Sequence, residues 1–191
     1  MKNSCKSRKS YVLAIDPSGN FEEGKGTTGF ALYDADENQI VNTWTVAAQD
    51  FDSQLAYWSD VIDLILEIVE DVGSDLAIVC EDYLLYGSKS SAQTNSRFET
   101  CQLIGVIKWI AYMNELPLYF QRAVDVKNRW SEEVLEHAGY IQCVGSNSKN
   151  YNHCHGYSDY VLHRFPESRL MSHELDAIKH AVHFVRFKNG K

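Results

Sequence analysis

Apolar positions follow two rhythms along this chain. Tyr11 to Asp16 (YVLAID) is a short, nearly continuous apolar run closed by Pro17, Ser18 and Gly19, the pattern of a β-strand ended by turn residues. After a loop containing Gly24 and Gly26, Thr28 to Tyr33 (TGFALY) predicts a second strand, and Ile40 to Val46 (IVNTWTV) alternates as a third. Three strands joined by short turns predict a meander. From Ser53 the period becomes helical: Leu55, Trp58, Val61, Ile62, Ile65, Ile68, Val69 and Val72 share it, and Gly73 supplies the stop. Leu76 to Cys80 (LAIVC) is apolar throughout, as in a strand covered on both faces.

Beyond a polar loop at Gly87 to Asn95, a second amphipathic helix is predicted from about Arg97 to Asn114, a short strand at Leu118 to Phe120, and a helix at Trp130 to His137. Residues 139 to 156, rich in Gly, Ser and Asn, read as a long loop. His173 to Phe187 (HELDAIKHAVHFVRF) closes the chain as a helix with Ser172 as its N-cap. No internal repeat is present. The order β-β-β-α-β-α-β-α plus a closing helix is that of an α/β domain, and Trp58, Trp109 and Trp130 are expected in its core.

Charge changes this picture only once it is located. The 191 residues carry 18 Lys plus Arg against 26 Asp plus Glu, a formal net charge of -8, which by itself argues against a nucleic-acid partner. The charges are polarised, however. Residues 1 to 9 hold Lys2, Lys6, Arg8 and Lys9 and no acid; residues 10 to 86 net -15; residues 87 to 191 net +3. The expected organisation is a basic disordered tail at 1–9 and a single domain over 10–191. Five cysteines at irregular spacing, one of them inside an apolar strand, do not make a disulfide framework. The apolar run at Tyr11 is too short for a signal peptide, and no segment reaches the ~18 apolar residues of a membrane span. A reducing cytoplasm is expected, without a membrane partner.

Candidate chemistry lies at the strand ends. Asp16 ends the first strand and Glu81 follows the fourth; if these strands lie side by side and parallel, both carboxylates emerge at the sheet edge where open α/β sheets bind ligands. An acid after an apolar strand can also simply mark its exit into solvent. In Ser172-His173-Glu174-Leu175-Asp176, His173 and Asp176 stand three apart and share a helix face. Leu175, Ile178, Ala181, Val182 and Val185 form the stripe that would hold this helix to the sheet. An imidazole and three carboxylates suit one or two hard divalent cations such as Mg²⁺ or Mn²⁺.

These residues carry a resemblance. AIDPSGN followed by TTGFAL, the strand end IVCEDYLLYG, the helix FETCQLIGVIKWIA, the VKNRW segment and the closing SHELDAIKHAVHF are similar to the RuvC-like Holliday junction resolvases of the RNase H-like superfamily, above all their phage-type members. The resemblance spans residues 11 to 187. It implies an RNase H-like fold with a five-stranded mixed sheet flanked by helices. It also implies a crossover junction endodeoxyribonuclease that hydrolyses phosphodiester bonds in four-way junctions and other branched DNA, in recombination or resolution of phage DNA. Asp16, Glu81, His173 and Asp176 are the implied catalytic and metal-binding residues, holding two Mg²⁺ ions with Mn²⁺ as a substitute, and Glu174 is a possible replacement for His173. Asp16 would bridge the ions, Glu81 hold the ion on the nucleophile side, and His173 with Asp176 the other. A homodimer, needed for two paired cuts, and a bacterial cytoplasm with a phage or prophage origin follow from the same resemblance. DNA contacts are expected from Tyr86, Lys89, Arg97, Arg122, Lys127 and Arg129, with Lys108 in the same basic stretch and Tyr83 as a second aromatic near the branch point.

Other readings fit less of the chain. Asp16 with Gly26-Thr27-Thr28-Gly29 resembles the phosphate hairpin of the actin and sugar-kinase fold, but that architecture needs two such lobes and this chain supplies one. A catalytically inactive branched-DNA-binding module would be expected to lack one of the acids. An RNA:DNA hybrid nuclease is the nearest rival among enzymes. Cys143, His153, Cys154 and His155, with His163 beyond, are residue types that zinc accepts, but the paired spacings of structural zinc sites are missing.

Overall fold

The computed structural model describes residues 10–21, 26–83, 98–144 and 160–187. Strands β1 (Tyr11–Asp16), β2 (Thr27–Asp34) and β3 (Gln39–Ala47) form the meander, helix α1 (Gln54–Val72) follows, and β4 (Leu76–Asp82) returns to the sheet. Helix α2 (Glu99–Met113), β5 (Leu118–Arg122) and two short helices, α3 (Ala123–Lys127) and α4 (Glu132–His137), come next. Three further strands, β6 (Ile141–Cys143), β7 (Tyr160–Leu162) and β8 (Phe165–Arg169), precede the closing helix α5 (Ser172–Phe187). The main sheet has the order β3-β2-β1-β4-β5. β1 runs antiparallel to β2 and parallel to β4, and β4 parallel to β5. The expected five-stranded mixed sheet flanked by helices is therefore the observed one.

β1 and β4 are apolar without alternation because helices cover both faces of the sheet. On one face Val12, Ala14, Ala31, Ala77 and Val79 pack against Leu175, Ile178, Ala181 and Val182 of α5. On the other, Leu13, Ile15, Phe30, Ile78 and Cys80 meet Tyr57, Val61, Ile65 and Ile68 of α1 and Leu103, Ile104 and Ile107 of α2. The ends of α1 follow their sequence signals. Ser53 Oγ accepts the Ala56 N–H at 3.2 Å, and Gly73 closes α1 at φ 71°, a conformation that costs glycine little.

The structure departs from the sequence reading in several places. The stretch expected as loop from residue 139 contains β6, which pairs antiparallel with β7, and β7 with β8, in a small second sheet; Ile141 and Leu162 join the core beneath α5. Helix α3 was not anticipated. Trp109, expected in the core, is 59% exposed, whereas Trp130 is buried and Trp58 half-buried; Trp109 falls on the solvent face of α2, opposite Leu103 and Ile107. Cys143, a candidate zinc ligand, is disulfide-bonded, which removes it as a thiolate donor and supplies a disulfide where none was expected; Cys80 and Cys101 are free thiols. His153, Cys154, His155 and the 1–9 tail lie outside the described residues. Among the described residues no helix is long and apolar enough to cross a membrane.

Candidate active site

A period of two along each strand puts Val12, Ala14 and Asp16 on one face of β1, and Ala77, Val79 and Glu81 on the same face of β4. The parallel pairing runs from Tyr11↔Leu76 to Ile15↔Cys80, so Asp16 and Glu81 leave the sheet at one edge, beneath α5. Asp16 is only 5% exposed.

Helix α5 supplies the other half of the site, and its first turn is fixed in two ways. Glu174 Oε2 accepts the backbone N–H of Met171 at 2.6 Å, the reciprocal bond of a capping box, so Met171 and not Ser172 is the N-cap residue. That commits the Glu174 carboxylate to the helix start. Opposite Asp16 in the β1–β2 ladder stands Gly29, and a Cβ there would collide with the backbone carbonyl of His173. The missing side chain lets α5 descend onto the strand end, and His173 Nδ1 comes to 2.6 Å from Asp16 Oδ2.

One turn further on, Asp176 is held by two ammonium groups: Lys127 Nζ donates to Oδ2 at 2.8 Å and Lys179 Nζ to Oδ1 at 3.0 Å. Lys127, at the end of α3, also lies 3.1 Å from Glu81 Oε2 and so joins β4 to α5. Lys179 is buried and pairs with Glu132 at 2.7 Å. The same Glu81 oxygen lies 2.9 Å from Nε2 of the fully buried His180, whose Nδ1 is 2.9 Å from Gln121 Oε1. The four catalytic candidates are thus brought to one place. Lys127 joins them there, and Lys179, His180, Gln121 and Glu132 were not anticipated. For His180 a signal existed: His173, Asp176 and His180 stand at i, i+3 and i+7, on one helix face.

Burial pushes the Asp16 carboxyl up, the His173 bond pulls against it, and the Glu81 charge pushes it up again. His173 is raised in turn, chiefly by its bond to Asp16. At Glu81 burial alone would raise the carboxyl, but the His180 bond and the Lys127 charge outweigh it and hold it down at about 2. Lys127 is held above its ordinary range despite burial, by its Asp176 bond and the surrounding carboxylates. Burial thus decides the direction at Asp16, whereas oppositely charged, hydrogen-bonded partners decide it at Glu81, His173 and Lys127.

Among the described residues no group of three or more His, Cys, Asp and Glu is disposed as a ready cation cage. The donors nonetheless fit a hard divalent cation by their chemistry. Asp16, Glu81 and Asp176 offer carboxylate oxygens, and Glu81 and Asp176 already converge on one cationic point, the Lys127 ammonium.

Of the other expected DNA contacts, Arg122 forks onto Asp125 at 2.8 and 2.9 Å and Arg129 lies over the Phe187 ring at 4.1 Å. Lys108 lies over Phe120 at 4.7 Å, and Tyr83 packs against the α1–α2 side of the core. Tyr86, Lys89 and Arg97 lie outside the described residues.

No protein-family model and no curated protein sequence matches the chain. Solved structures do. The structure of Thermus thermophilus RuvC in complex with a Holliday junction substrate is similar at a TM-score of 0.62 and 13% sequence identity, covering 94% of this chain and 96% of that one. A second T. thermophilus RuvC structure is similar at 0.56 and 12% identity, covering 93% and 97%. What is shared over this length is the architecture: the chain has a RuvC-like fold of the RNase H-like kind.

Proposed function

We propose that this chain is a metal-dependent endodeoxyribonuclease that hydrolyses phosphodiester bonds in Holliday junctions and other branched DNA. The observation that carries the reading is the convergence of Asp16 and Glu81, at the carboxyl ends of parallel β1 and β4, with His173 and Asp176 of the overlying α5, in a RuvC-like fold. Asp16, Glu81 and Asp176 would hold Mg²⁺ or Mn²⁺, two ions per site, with His173 as the nitrogen donor. Such ions supply an activated water and neutralise charge on the leaving oxygen. His173 orients the Asp16 carboxylate through its 2.6 Å bond. Lys127, already 36% exposed beside two carboxylates, has the reach to meet a phosphate oxygen. Arg122, Arg129 and Lys127, together with Tyr86, Lys89 and Arg97, would steady the DNA. Because a four-way junction is two-fold symmetric and the described residues of one chain form one such site, the acting species is a homodimer that makes paired cuts. A bacterial cytoplasm, in a cell or a phage-infected cell, is where such substrates arise.

The test is incubation of the full chain with a labelled four-way junction, a matched linear duplex and an RNA:DNA hybrid, each with Mg²⁺, Mn²⁺ or EDTA. Symmetrically placed nicks in the junction with either metal, and none with EDTA, are expected. Asp16→Asn should remain folded and lower that activity by more than about a hundredfold, beyond what losing an outer hydrogen-bond partner of a metal ligand costs. Metal-dependent junction cleavage by folded Asp16→Asn would overturn the site assignment, and preference for the hybrid would overturn the substrate assignment.

A further inference from the structure

The Glu81 carboxylate is the end of a buried hydrogen-bonded chain. Gln121 stands opposite Glu81 in the β4–β5 ladder, so both side chains rise from one face of the sheet, and His180 descends from α5 between them. His180 is 0% exposed and Gln121 3%. The imidazole Nε2 is 2.9 Å from Glu81 Oε2 and donates to it; Nδ1 is 2.9 Å from the Gln121 amide oxygen. An amide suits either state of Nδ1, since its oxygen accepts from an N–H and its NH₂ donates to a bare nitrogen.

Packing does not explain this chain. His180 lies among Ala177, Ala181 and Phe184 on the buried side of α5, where an apolar side chain of similar volume would be buried without the cost of desolvating two ring nitrogens. What the imidazole adds is direction. Its bond falls on the oxygen that also receives Lys127 at 3.1 Å, and Oε1 has no hydrogen-bond partner among the described residues. Two donors on one oxygen fix the rotation of the carboxylate and leave the other oxygen open.

We propose that His180 is a positioning residue which, backed by Gln121, locks Glu81 through Oε2 and so presents Oε1 as the single oxygen offered to a divalent cation. The proposal rests on Glu81 being a metal ligand, as in the proposed function. Outer partners of this sort set metal affinity by holding a ligand in its binding rotamer before the ion arrives.

The experiment is calorimetric titration of the full chain with Mn²⁺ alone, without DNA, alongside thermal unfolding in EDTA. His180→Leu should weaken Mn²⁺ binding by about ten- to a hundredfold. His180→Gln, whose amide can still donate toward Oε2, should recover most of that affinity even where it melts at the same temperature as His180→Leu. Gln121→Leu should weaken binding in the same direction by a few-fold, roughly, and it carries the test if His180→Leu does not fold. In the Glu81→Gln background, His180→Leu should cause no further loss, because its effect passes through that carboxylate. Wild-type affinity in a folded His180→Leu, equal loss in His180→Leu and His180→Gln, or losses that add to Glu81→Gln would each overturn the role. If Glu81→Gln weakens Mn²⁺ binding while His180→Leu does not, the positioning role alone falls. If Glu81→Gln itself binds Mn²⁺ as the wild type does, both the role and the assignment of Glu81 to the site fall.

Discussion

At Gly29 the absence of a single methyl group decides how the site is assembled. The residue lies across from Asp16 in the ladder and directly under the His173 carbonyl, so its hydrogen is what brings the first turn of α5 against the end of β1. Gly29→Ala must either lift that turn or bend β2. Both routes lengthen the 2.6 Å bond between His173 and Asp16 and strain a packed core, at a cost of about 1–3 kcal/mol. Urea unfolding should show that loss, and the His173 imidazole, raised by its Asp16 bond, should titrate closer to its ordinary value by NMR. An unchanged His173 titration in a folded Gly29→Ala would show that α5 tolerates the methyl without moving. The sequence TTGFAL displayed this glycine but not its partner, because the residue it makes room for lies 144 positions further along the chain.

Among the elements, the loop that leaves β1 is tied to three others. The Ser18 N–H donates to Thr28 Oγ1 of β2 at 3.2 Å, and the Ser18 carbonyl accepts the Tyr57 hydroxyl of α1 at 2.6 Å. The first turn of α2 receives the Gly19 N–H on Thr100 Oγ1 at 3.1 Å and the Phe21 N–H on Glu99 at 2.8 Å. Tyr57 is fully buried in this set, as Thr28 is, and burial pushes its phenol from 10.0 up to about 12. A raised folded-state value means that its contribution to stability is complete below pH 10 and is lost as pH rises through 12. Tyr57→Phe should therefore cost about 1 kcal/mol near neutrality, and the wild type should lose its advantage over this variant between pH 10 and 12 in denaturant titrations. A gap that stays constant across that interval would place the phenol outside the loop's support. The elements themselves were legible where a period ran for five residues or more: β1 to β4, α1, α2 and α5 were all expected within a few residues of their ends. The small sheet was not, since β6 and β7 are three residues each and their apolar residues become meaningful only against α5. Asp16 and Glu81 were legible because they punctuate apolar strands, and Asp176 because it stands three residues from His173 on one helix face. Lys179 was not, because a polar residue within a helix reads as its solvent face until the fold shows what it meets; His180 carried the spacing of His173 and Asp176 but not its partners Glu81 and Gln121, which lie on other elements.

Across the molecule, charge separates by face. The acids of α1, among them Asp60, Asp63, Glu67 and Glu70, are exposed on the helix that covers one side of the sheet. Asp16 and Glu81 lie on the other side, beneath α5, which carries Asp176; Lys127 pairs with Glu81 and Asp176, and Lys179 with Asp176. A net charge of -8 thus describes a solvated acidic face and a compensated site, and the DNA of the proposed function could reach the site without crossing the first. At ~0.1 M salt, charges more than about 10 Å from the phosphates are largely screened. Neutralising the α1 face with Asp60→Asn, Asp63→Asn and Glu67→Gln together should therefore leave junction affinity within about twofold of wild type under those conditions. Arg122→Gln, which removes a cation near the site, should weaken junction binding and make the plot of log affinity against log salt shallower by about one, the value for one lost phosphate contact. Fluorescence anisotropy with a labelled four-way junction in Ca²⁺, across a salt series, reads both quantities at once. If the triple α1 variant binds many times tighter and Arg122→Gln binds as wild type does, the DNA runs over α1, and the contacts expected from Arg122, Lys127 and Arg129 must give way to that helix.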